Sequence, residues 1–202
     1  MLKYDKVIIG ILLGCVFPLF FFLASFSIWF YFDRNENYVL AYVITGLILG
    51  FTTDLLFLKT LITRRFELPI WLIAGIYLIY NIWMYGIFMG FPVFNLLWGC
   101  VAGYYFGRKI NFSKIPPPEQ SKLIKRVSIF TSFIMTLICF FSGWIALAGT
   151  GVGKDLQMMF NLHFEITKLM ILATALIGGA MLIYSEYKLT KVTMLRIIKT
   201  AI

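Results

Sequence analysis

Charge is scarce in this sequence: Asp, Glu, Lys and Arg make up 13% of 202 residues, about half their usual share in a soluble domain. That leaves too little polar surface to clothe a water-soluble globule. Histidine is represented by His163 alone, which excludes bis-histidine ligation of a membrane haem. The three cysteines, Cys15, Cys100 and Cys139, stand inside apolar segments at no metal-ligand or redox spacing. They read as small buried hydrophobes.

Other chemistry is missing as well. There is no His/Cys/carboxylate cluster of the kind that holds zinc, no H-E-x-x-H, no G-x-S-x-G and no closely spaced carboxylate pair in an apolar segment. Protease, lipase-like and metal-dependent transferase activities therefore have no motif behind them, and no metal or cofactor is expected. An integral membrane enzyme ranks below the other readings. The run Gly149-Thr150-Gly151-Val152-Gly153-Lys154 lacks P-loop spacing and follows no strand pattern, so nucleotide binding is rejected. His163 and Glu165 form a lone pair of the kind found on ordinary surfaces.

What the chain does have is apolar length. Hydrophobic residues make up 61% of it, with a mean hydropathy of +0.89. The pattern predicts an all-α integral membrane protein, a single domain over 1–202 with no soluble part. Its six transmembrane helices fall at about 7–32, 38–61, 69–89, 92–107, 127–149 and 166–187. The first run follows Lys3 and Lys6 like a signal sequence but has no A-x-A-like cleavage site, so it reads as a retained helix. The fourth, opened by Pro92, is the shortest: sixteen residues reach about 24 Å, less than the ~30 Å hydrocarbon core.

Basic residues set the orientation. Of the 18 Lys and Arg residues, only Arg34, Lys154 and Lys168 fall on the side opposite the N-terminus. The positive-inside rule then places both termini in the cytoplasm, with a prokaryotic plasma membrane as the expected location. The net charge of +9 is spread between apolar segments and not along one face, which argues against nucleic acid. In the connection 108–126, Pro116-Pro117-Pro118 suggests a stiff, extended spacer. Leu189–Ile202 mixes Lys191, Arg196 and Lys199 with apolar residues; it suits either an interfacial basic helix or an extension of the sixth span. The outer segment from Asp155 to Phe164 suits either a short interfacial helix or a lid.

Glycines recur at four-residue spacing: Gly10 and Gly14, Gly46 and Gly50, Gly86 and Gly90, and Gly99, Gly103 and Gly107. In lipid such spacing lets helix backbones approach closely, so tight glycine-mediated packing is expected, with the fourth helix at its centre. Oligomerisation through a remaining glycine face is the lesser reading.

Asp54 is the residue that most needs an explanation. A carboxylate within an apolar span costs at least about 2.5–3.5 kcal/mol on insertion scales, so it needs a partner, a bound cation, water or a proton. Lys59, displaced around the helix by about 140°, does not serve as its local partner. Asn81 and Asn95 also need partners for their amides, and Tyr77, Tyr80 and Tyr85 could wall an organic ligand. Against these functional roles stand structural ones, an anchor at Asp54 and interhelical hydrogen bonds at the two asparagines.

Two functions from different classes follow. One is a small-molecule or ion transport or ligand-binding subunit with an intramembrane polar site of Asp54, Asn81 and Asn95. The other is an oligomeric pore or accessory assembly subunit with a membrane-protein partner or a second copy. The layout of six helices, two cytoplasmic ends and a substantial outer loop resembles that of substrate-binding subunits of energy-coupling-factor vitamin transporters. The likeness is one of layout, and it implies ligand binding; Gly10 and Gly14 stand where an A-x-x-x-A pair would be expected.

Overall fold

The structure, a computed structural model, describes residues 3–88, 90–149, 151–159, 161, 163–164 and 166–200. Thr150, Phe160, Leu162 and Glu165, in the segment expected to form the outer loop, lie outside the described residues. The described chain is helical, with no strand. Five helices are long and apolar enough to cross a membrane: Val7–Asp33, Glu36–Thr63, Ile70–Ile87, Pro117–Ala148 and Lys168–Lys199. Contacts divide the chain into two compact units, Met1–Trp83 and Met84–Ile202.

In the first unit, α1 (Lys3–Gly14) and α2 (Val16–Ile28) share one apolar run but are separated at Cys15. The span expected at 7–32 is present as the apolar helical run Val7–Asp33, with a local interruption at Cys15 for which Pro18 supplies the reason. Proline has no N–H, so the Gly14 carbonyl loses its regular helical donor. Hydrogen bonds on either side, Cys15 N–H to the Ile11 carbonyl at 3.2 Å and Leu19 N–H to that of Cys15 at 3.1 Å, keep the two pieces in line. A π turn over Trp29–Asp33 ends at Arg34 with φ +53°, and the Trp29 indole closes the bend by donating to the Asn35 carbonyl at 2.9 Å.

The chain returns along α3 (Val39–Thr63), antiparallel to α2. Gly46 lies against the Phe21 carbonyl and the Ser25 side chain, and Gly50 lies against the backbone of Phe17 and Pro18. A Cβ at either glycine would collide with backbone. The unit is completed by the part of α4 (Ile70–Ile87) that reaches Trp83. Trp83 packs edge-on against Phe22 at 5.1 Å.

The second unit is built around α5. Pro92–Asn95 forms a 3-10 turn and α5 runs from Leu96 to Phe112. At 17 residues it reaches about 26 Å and is not among the five long apolar helices. Its Ala102, Tyr105, Phe106 and Ile110 side chains are buried.

Helix α6 (Pro117–Ala148) begins earlier than sequence suggested. Only Pro116 is extended, as the residue before a proline should be; Pro117 takes the first helical turn, where a missing N–H has no consequence. The expected extended spacer is thus mostly helix. The connection between α6 and the last helix contains the eight-residue α7 (Val152–Met159). Thr167 then caps α8 (Lys168–Lys199), accepting a hydrogen bond from Met170 N–H at 3.3 Å, and α8 continues unbroken through the basic C-terminal segment.

Two registers organise this unit. Gly103 lies against the backbone carbonyl of Thr190, Gly107 against Ile197 and the Met194 carbonyl, and Asn111 donates to the Ile197 carbonyl at 3.0 Å. α5 and α8 therefore run parallel. Against α6, α8 is antiparallel: Gly143 faces Ala175, Gly179 faces Cys139, and Thr131 meets Thr190. α6 and α8, at 32 residues each, reach about 48 Å. Their lengths exceed the core of a bilayer by a dozen residues.

Candidate functional site

The side chains that α3 turns toward α1 and α2 are Gly46, Gly50 and Asp54, one helical turn apart. The glycines admit the α2 backbone, and the carboxylate then falls at the level of the break between α1 and α2. Asp54 is 7% exposed, although Leu55 beside it is 86% exposed. Its Oδ2 would stand 3.5 Å from a Cβ placed on Gly14, and its Oδ1 has no hydrogen-bond partner among the described residues. The adjacent threonines do not serve it: Thr52 and Thr53 turn back to the carbonyls of Ile48 and Leu49, each at 2.7 Å.

Tyr80 on α4 joins this neighbourhood. Its phenol donates to the Leu12 carbonyl and lies within electrostatic reach of Cys15 and Asp54. Near the break stand the Asp54 carboxylate and the Tyr80 phenol, and Pro18 leaves the Gly14 carbonyl without its regular helical donor. These are hard oxygen ligands, suited to a cation or to the polar head of a ligand.

Asn81, on the same helix, is 1% exposed and donates to the Tyr77 carbonyl at 2.9 Å. Asn95 is completely buried but belongs to the second unit, at the end of the turn that opens α5. Asp54 and Asn81 therefore share a unit, and Asn95 lies in the other. Gly99, Gly103 and Gly107 line the face of α5 that meets α8.

Four residues outside the sequence-level candidates are also buried in the second unit, Glu186, Thr190, Ser128 and Thr131, each no more than 1% exposed, and Ser128 Oγ has no hydrogen-bond partner among the described residues. The signal for Glu186 was an acidic residue inside the span 166–187, four positions before Thr190 on one helix face. Arg65, counted only as a loop charge, is also buried, donating to the Ile62 carbonyl at 2.8 Å and lying over the Phe66 ring. Helix α7 borders a cleft lined in part by Lys154 and Lys168. No group of three or more His, Cys, Asp or Glu residues among the described residues is placed to hold a metal ion. In comparisons with known protein families, curated proteins and solved structures, nothing matches this chain.

Proposed function

We propose that the protein is a multi-pass membrane subunit that binds, and in its assembled form transports, a cation or a small molecule bearing a cationic or hydrogen-bond-donating group. The site is the Asp54 carboxylate at the α1–α2 break. In this reading the short α5 is a sixth crossing, surrounded by longer helices, and the basic ends of α5, α6 and α8 lie in the cytoplasm with the N-terminus.

Membrane residence is supported by the surface: Phe51, Leu55, Leu56, Phe133, Phe140, Leu176, Ile177 and Met181 are all more than half exposed. Water would not tolerate such belts, whereas lipid is their natural solvent. The binding role rests on one observation, the burial of Asp54 beside a helix interrupted by proline. Irregular backbone at membrane depth is stable where it is covered by protein or lines a site, and interrupted helices offer carbonyl groups to ions and polar substrates.

The test is a thermal-unfolding screen of the full chain in lipid nanodiscs against alkali cations and primary alkylammonium ions. A ligand at about 100 times its Kd stabilises the bound form by roughly 2.7 kcal/mol. Stabilisation by at least one of these probes in wild type, and none in Asp54→Asn, supports the site; the same response in both proteins removes it.

The assembly reading has its own observation. A Cβ at Gly75, Gly86 or Gly178 would meet nothing within 4 Å among the described residues, leaving open helix surface for a second helix. Stable co-purification with a membrane partner, without any ligand response, would favour it.

A further inference from the structure

The cleft beside α7 lies where two long helices end. Gly149 follows the last residue of α6, and Lys168 is the first residue of α8. The antiparallel register that sets Gly143 against Ala175 brings these two ends to one level. Gly153 seats α7 on the segment leading into α8: a Cβ there would stand 2.6 Å from the Ile166 carbonyl oxygen, so only glycine allows this approach. Lys154, the next residue, thereby lines the same cleft as Lys168.

Charge in the cleft has one sign. Lys154 and Lys168 are the ionisable residues among those that line it, Gln157 adds an amide, and none of the described lining residues is acidic. Asp155 turns its carboxylate toward Gly151, where an oxygen would stand 3.7 Å from a Cβ, and does not line the cleft. Both lysines stand in the first turn of a helix. Backbone N–H groups there add to the positive potential instead of opposing it. The cleft encloses about 210 Å³, room for roughly seven waters at about 30 Å³ each, and so for a phosphate group with part of its hydration shell.

Apolar surface begins next to it. Trp144 and Ile145 at the end of α6, and Leu169 and Leu172 at the start of α8, are exposed. A molecule that satisfies both features carries a phosphate at one end and hydrocarbon at the other. We propose that the cleft binds the phosphate of an anionic phospholipid in the leaflet opposite the N-terminus, with the acyl chains lying along the ends of α6 and α8. This rests on the reading of the chain as membrane-spanning, and not on Asp54.

Lysine meets phosphate as a point charge. Phosphatidylcholine brings its own ammonium group and offers the two lysines no net charge, whereas phosphatidylglycerol offers one negative charge. The placement is also more than a topology signal. By sequence only Arg34, Lys154 and Lys168 fall on that side of the membrane, the side that the positive-inside rule leaves poor in basic residues, and two of the three share this cleft.

Photoaffinity labelling of the full chain in nanodiscs tests the site. Phosphatidylglycerol and phosphatidylcholine, each with a diazirine on the acyl chain close to the glycerol, are compared in otherwise identical bilayers, and the labelled positions are mapped by peptide mass. Peptides covering 141–172 should take severalfold more label from phosphatidylglycerol, and the excess should vanish in Lys154→Gln/Lys168→Gln. Lys122→Gln/Lys125→Gln, which removes the same charge near the other end of α6, should keep it. No excess in wild type, an excess that survives the first double variant, or an equal loss in the second overturns the proposal. Free phosphate is the other source of the same chemistry. Thermal protection of lipid-stripped protein by sodium phosphate over sodium chloride at equal ionic strength, dependent on both lysines and without any lipid excess, would assign the cleft to a soluble phosphate and overturn the lipid. Equal labelling of the apolar helices by both lipids, with no excess at the cleft, confines the failure to this site; label from neither lipid on any helix means that the membrane reading fails and takes this inference with it.

Discussion

Gly103 on α5 lies directly beneath the backbone carbonyl of Thr190 on α8, so close that a Cβ on the glycine would stand 2.7 Å from that oxygen and 2.8 Å from the Thr193 Cβ. Neither atom is the end of a flexible side chain. Even Gly103→Ala should therefore push α5 away from α8, at a cost of about 1–3 kcal/mol, typical of overpacking. Gly103→Leu should cost more. Gly178→Ala is the control: its Cβ would meet nothing within 4 Å among the described residues. With no such clash, helix propensity favours alanine over glycine by about 1 kcal/mol. Thermal unfolding in one detergent should rank Gly178→Ala at or above wild type and Gly103→Leu lowest. Equal stability for wild type and Gly103→Leu would mean that the parallel contact does not exist.

Pro18 should matter for binding more than for folding. Pro18→Ala returns an N–H to the Gly14 carbonyl and mends the break that faces Asp54. The variant should unfold no earlier than wild type, while the stabilisation given by the best cation or amine falls severalfold. If that stabilisation is undiminished, the released carbonyl takes no part in the site.

Orientation can be read by labelling. Cysteines introduced one at a time at Lys122 and Arg196 should resist a membrane-impermeant maleimide in intact cells, and one at Lys154 should react. The expectation rests on fifteen of 18 basic residues falling on the side of the N-terminus. Reaction at Lys122 from outside would invert the arrangement or remove a crossing.

Helical class and the long apolar helices were legible in hydropathy because lipid-exposed helices have to be apolar around most of their circumference. The break at Cys15 was readable from Pro18 but was hidden in an otherwise uniform run. Pro117 misled in the opposite direction, since a proline row suggests extended chain until its second member takes a first helical turn. Asp54 stood out by cost alone. Glu186 did not: its burial depends on Gly99, eighty-seven positions away, and a single sequence carries no sign of the parallel register that joins them. The orphaned Ser128 hydroxyl is likewise visible only after packing.

The measurement closest to the central claim is a calorimetric titration of the best-binding cation or alkylammonium ion into wild type and Asp54→Asn in nanodiscs. Asn keeps the shape and much of the hydrogen bonding of Asp while removing the charge. The account predicts an Asp54→Asn protein that unfolds close to the wild-type temperature and binds at least about tenfold more weakly, a loss of about 1.4 kcal/mol or more. A folded Asp54→Asn protein with wild-type affinity would contradict a charge-dependent site at Asp54 and leave the residue a structural anchor.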